Sequence, residues 1–134
     1  MANLSAKIGE MEYDGLISDL TPKTEVRAGT IRKLSAAATL KRGTVLAKSS
    51  GTAGDGKLVI LGTTAETNET LTPDCILCDD VEVGTTADVT VPVYTAGCFD
   101  PDKVIVKDST TLTDAHKDTL RKYGIVFKAV LAAN

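Results

Sequence analysis

Tryptophan is missing from this chain of 134 residues, and all aromatic residues together make up only 4%. Any core must therefore be built from Val, Leu, Ile and Ala. A basic excess is missing too: 15 Lys and Arg stand against 18 Asp and Glu, a formal net charge of −3. A chain that grips DNA or anionic lipid by general attraction needs a basic face, so we expect no direct nucleic-acid partner and no membrane partner. Long apolar runs are also lacking. The opening stretch MANLSAKIGEMEYDGLISDL has no uninterrupted apolar segment of signal-peptide length, and nothing approaches a membrane-spanning helix. The expectation is a protein made and folded in a reducing cytoplasm. Three cysteines, an odd number, fit reduced thiols better than a disulfide framework.

What is present suffices for one domain with a buried core. Apolar residues at 43% and charged residues at 25% are ordinary for a globular chain. We divide it into an N-terminal arm, residues 1–23, and a β-rich domain, residues 24–134. In the arm, Leu4, Ile8, Met11, Tyr13, Leu16 and Ile17 follow no sustained period of 2 or 3.6. Gly9 and Gly15 interrupt them and Pro22 ends the series. Alone, such a segment buries too little surface to offset the entropy of ordering. We expect a flexible arm that orders on a partner, with these six side chains as its contacts.

Short β-prone runs follow, separated by Gly, Pro and Asp. They are residues 25–34, 40–47, 57–61, 75–78 and 89–94, with 104–107 as one more short strand. Between them, residues 49–56 (SSGTAGDG) form a loop, because three glycines admit positive φ and Asp-Gly favours a turn. Pro92 has no amide donor and belongs at a sheet edge, a strand end or a bulge. This spacing suits a small barrel or a sandwich. Near the C-terminus, Thr113 is a natural N-cap and Asp114 suits a first turn. Residues 114–123 contain no Gly, Pro or Val, and Gly124 follows as the C′ residue. Leu112, Ala115, Thr119, Leu120 and Tyr123 fall near one face of that helix. Residues 125–127 read as a final strand or apolar tail.

Few residues could carry chemistry. Cys75-Ile-Leu-Cys78 has the spacing of a zinc or redox motif. Zinc would need two further ligands, and only Cys98 and His116 remain, far apart and unpaired. The run reads as a strand, in which positions i and i+3 face opposite sides, so the two thiols should point apart. His116 sits in the first turn of a short surface helix, where exposure rather than catalysis is expected. Asp79, Asp80, Asp100 and Asp102 read as turn and surface residues, since no EF-hand loop is present. The glycines of residues 51–56 are not a phosphate loop, because Lys57 is followed by Leu58. We therefore expect no catalytic residues, no metal site and no cofactor.

The order of segments resembles the lambda-type bacteriophage head decoration proteins. Three stretches carry the likeness: LKRGTVLAK at residues 40–48; ILCDDVEV at 76–83 followed by DVTVPVYTAG at 88–97; and LRKYGI at 120–125. The first is similar to an early "GTVL" strand, the second to a strand with two acidic residues followed by "PVYxxG", and the third to an "LRxxGI" helix end. Together they span roughly residues 24–128, and the arm matches no motif. The resemblance implies a mainly β, small barrel-like domain with one short α-helix near the C-terminus. It also implies a non-enzymatic homotrimer at three-fold positions on the outer surface of the expanded head, assembled in a bacterial cytoplasm. The partner would be the major capsid protein, met by β-augmentation through the arm, and the role would be to hold the shell against packaged-DNA pressure.

Two other classes fit the same features. One is another phage structural β domain, from a tail tube or fibre, and the other is a metal or redox protein built on Cys75 and Cys78.

Overall fold

The computed structural model describes residues 15–129. Its elements are, in order, β1 (Ile17–Asp19), β2 (Glu25–Ile31), β3 (Ala38–Leu40), β4 (Val45–Ser50), β5 (Leu58–Ile60), β6 (Thr70–Leu77), β7 (Val81–Val83), β8 (Val89–Phe99), α1 (Asp114–Lys122) and β9 (Ile125–Phe127). Five strands close a barrel. Around the ring, β8 pairs with β2, β2 with β5, β5 with β4, β4 with β6, and β6 returns to β8. All are antiparallel except β2 and β5, which meet in parallel at Ile31 and Leu58. The fold is therefore mainly β and barrel-like, with its one described helix near the C-terminus.

Burial on both faces explains why the first half of β4 and the last residues of β6 are apolar at every position. Leu46, Cys75 and Leu77 join Ile31, Leu58 and Val93 in one buried cluster, to which each of the five barrel strands contributes. This is the barrel interior, and Leu40 of β3 and Val83 of β7 close one end of it. Val45, Ala47, Ile76 and Cys78, one position out of phase, pack with Leu16, Phe99, Leu120 and Ile125 in a second cluster. A strand buried on both faces has no polar side to show.

At 11 residues, β8 is long enough to serve both layers. Its first part pairs with β2 and β6, and Gly97, Cys98 and Phe99 pair in parallel with β9. Phe99 and Cys98 also receive β1. Pro92 lies inside this strand. Its carbonyl accepts from the Cys78 N–H at 3.3 Å, just past the last β6 pair, Leu77 with Val93. The missing amide faces the same side, and the Cys78 carbonyl it would have met accepts from Arg42 at 2.9 Å instead.

Several boundaries differ from those expected. The run at residues 40–47 is two strands, because Thr44 turns back on Lys41 through both its N–H (3.1 Å) and its hydroxyl (2.7 Å). Gly43 supplies the φ of +96° that this turn needs. Residues 104–107 form only a single parallel bridge, Thr44 with Ile105. The helix begins where expected. Thr113 accepts from the His116 N–H, and the His116 side chain accepts from the Thr113 N–H at 3.1 Å, a reciprocal cap. Its apolar face is narrower than the spacing suggested. Leu120 is fully buried, whereas Ala115 is exposed and Tyr123 is 56% exposed. Tyr123 instead lines a hollow together with Glu25, Arg27 and Thr95.

Candidate functional site

The sequence places contact residues at the start of the chain, and the structure describes it from residue 15 onward. Leu4, Ile8, Met11 and Tyr13 lie outside the described residues. Leu16 and Ile17 pack against the body of the fold. Leu16 is 2% exposed and packs in the second cluster. Its carbonyl accepts from the Asp100 N–H at 2.8 Å, and its side chain fills the space beside Gly43. Ile17 packs against the same cluster and pairs with Phe99. An apolar residue in an irregular segment gives no sign in sequence of whether a groove awaits it in the fold.

Next along the chain, Asp19 accepts from Lys128 Nζ at 2.9 Å, which ties β1 to the residue after β9. The bonded ammonium holds the Asp19 carboxyl below its usual value. β1 and β2 lie along the same edge of β8, opposite Cys98 and Ala96 respectively. Residues 20–24 therefore form an excursion from that edge, with Leu20 79% exposed. β1 itself lies at a sheet margin, paired to β8 on one side.

The residues weighed for chemistry are dispersed. Cys75 belongs to the barrel interior and Cys78 to the second cluster, so the two thiols face opposite sides of β6. Burial pushes Cys75 far above the usual thiol value and Cys78 up to about 11, which disfavours the thiolate that metal binding or exchange needs. Among the described residues no group of three or more His, Cys, Asp and Glu could hold a metal ion. His116 is engaged in the helix cap. Asp80 accepts from the Arg42 N–H at 2.8 Å. Asp100, only 5% exposed, turns the chain by accepting from the Asp102 N–H at 2.9 Å; it is a turn residue but not a surface one.

Two polar clusters went unread in the sequence because their members are far apart along it. Arg32 makes a bidentate pair with Asp55, both bonds at 2.9 Å, and reaches the buried Glu69 at 2.5 Å. Glu69 also accepts from the Glu66 N–H and from Ser49 Oγ, and the three donors hold its carboxyl down to about 2. Arg32 holds Asp55 at about 2 as well. These bonds pin the glycine-rich loop of residues 51–56 to the end of β2. Elsewhere Arg42 donates to the Cys78 carbonyl at 2.9 Å and to the Tyr94 hydroxyl at 2.5 Å. Both clusters staple together segments far apart in the sequence.

The family model described as bacteriophage lambda head decoration protein D matches residues 6–125. The chain belongs to that family. It is a head decoration protein, a structural component associated with the phage capsid rather than a member of an enzyme family. Its place is the virion capsid. A comparison with curated proteins finds no match. On this head decoration fold the three resembling stretches fall at structural joints. The first is the turn into β4, the second runs from β6 through β7 and along β8, and the third is the passage from α1 through Gly124 to β9. At that passage Gly124 adopts a φ of +103°, which other residues rarely tolerate.

Proposed function

We propose that this head decoration protein works as a homotrimer on the outer surface of the expanded phage head, at three-fold and quasi-three-fold positions. Residues before β1, with Leu4, Ile8, Met11 and Tyr13 as contacts, would pair with strands of the major capsid protein. The family match over residues 6–125 carries this proposal. β1, which the arm would precede, lies at a sheet margin. One arm loses ordering entropy on binding and holds weakly by itself. Three arms on one body raise the effective concentration, adding a factor on the order of a hundred or more. A trimer bridging several capsid subunits must be detached before those subunits separate, and so it resists the pressure of packaged DNA. Assembly would take place in the bacterial cytoplasm.

The test is removal of residues 1–14. Leu16 and β1 are part of the body, so a cut at residue 23 would damage the fold and confuse the result. The shortened protein should melt as the full chain does and fail to decorate expanded empty heads. Decoration at full affinity would refute the arm's role. A full-length protein of one-chain mass that ignores heads would refute the trimer.

A further inference from the structure

The barrel wall is covered unevenly. Over β4, β6 and the second half of β8, the outer surface lies under Leu16, α1 and β9. Over β2 and the first half of β8, nothing lies among the described residues. The outward side chains there are Val26, Ala28 and Thr30 on β2, with Thr90 and Pro92 opposite on β8. None of the five is charged, although charged residues make up 25% of the chain. Val26 is 54% exposed, and Ala28, Thr90 and Pro92 are exposed as well. Together with Arg27 and Val91 they line a shallow hollow of about 410 Å³. A second feature lies on the same side of β8. Leu20, at 79%, is the most exposed large apolar side chain among the described residues, and it stands on the excursion between β1 and β2.

We infer that the hollow receives Leu20 of a second copy, so that the copies join head to tail. This rests on the homotrimer proposed above. A three-fold ring needs two different, complementary patches on every copy, whereas a two-fold dimer needs one self-complementary patch. This chain has such a pair: a hollow lined mainly by small and apolar side chains, with Arg27 as its one charged member, and an apolar protrusion. Arg27 is exposed, and a guanidinium can lay its stem along an apolar contact while its charged head stays in water. The small side chains of Ala28, Thr30 and Thr90 let a neighbour approach the strands closely.

The test compares the solution mass of the full chain with that of Leu20→Asp and Ala28→Asp, at micromolar concentration. Both positions are exposed, so both variants should melt as the parent does. The parent should show three chains and each variant one. Mixing the two variants should give a two-chain species and nothing larger. One intact protrusion then meets one intact hollow, while the remaining contact opposes Asp to Asp. A parent of three-chain mass with either variant still at three chains overturns this contact and leaves the trimer standing. A variant that stays trimeric but no longer decorates heads assigns the hollow to the capsid and also overturns it. A parent of one-chain mass overturns the trimer and the contact together.

Discussion

Leu120 is the single side chain by which α1 is anchored, and its truncation gives the sharpest check of the packing. It is fully buried in the cluster that contains Leu16, Ile76, Phe99 and Ile125. Leu120→Ala removes three carbon atoms, a transfer loss of about 2.4 kcal/mol at ~0.8 kcal/mol per carbon. Incomplete collapse of the cavity adds more, which places the whole effect at about 3 to 4 kcal/mol. For a domain of this size that lowers Tm by roughly 10 to 15 °C. Tyr123, three residues on, is 56% exposed. Tyr123→Ala should change stability by no more than about 0.5 kcal/mol. Denaturant titration followed by circular dichroism measures both. If Leu120→Ala lies within 1 kcal/mol of the parent, or if the two variants cost the same, the helix is not held as described.

Acid should loosen the loop of residues 51–56. Asp55 and Glu69 are both held at about 2 in the fold, below their ordinary 3.8 and 4.5. Their contribution is complete above pH 4.5 and is lost as pH falls toward 2, so Tm should drop across that window. Arg32→Met should flatten the drop, and an unchanged acid profile in that variant would show that the network does not matter. Thr113→Ala removes the hydroxyl that accepts from the His116 N–H and should cost about 1 kcal/mol, read from the same titration. Cys75, Cys78 and Cys98 are all buried, so a thiol reagent should label the native protein slowly and label three thiols per chain promptly in denaturant. Prompt labelling of Cys75 or Cys78 without denaturant would contradict the two-sided burial of β6.

Signals that act over a few residues were legible in the chain itself. The helix of residues 114–122 follows from Thr113, Asp114 and Gly124, because capping and left-handed termination are local matters. The opposite facing of Cys75 and Cys78 follows from the two-residue period of a strand. Composition set the aliphatic core, and the order of three short stretches pointed to the family. Contacts between distant residues were decided only in three dimensions. Leu16 looks like arm in sequence and is core in the fold, because the groove beside Gly43 and Phe99 that takes it is built by residues 27 or more positions away. Arg32, Asp55 and Glu69 meet across separations of 23 and 37 residues. Tyr123 carries the helical period of a buried residue, yet it is more than half exposed and lines a surface hollow. A period states which residues share a face, and only the packed neighbours determine how far along that face the core extends.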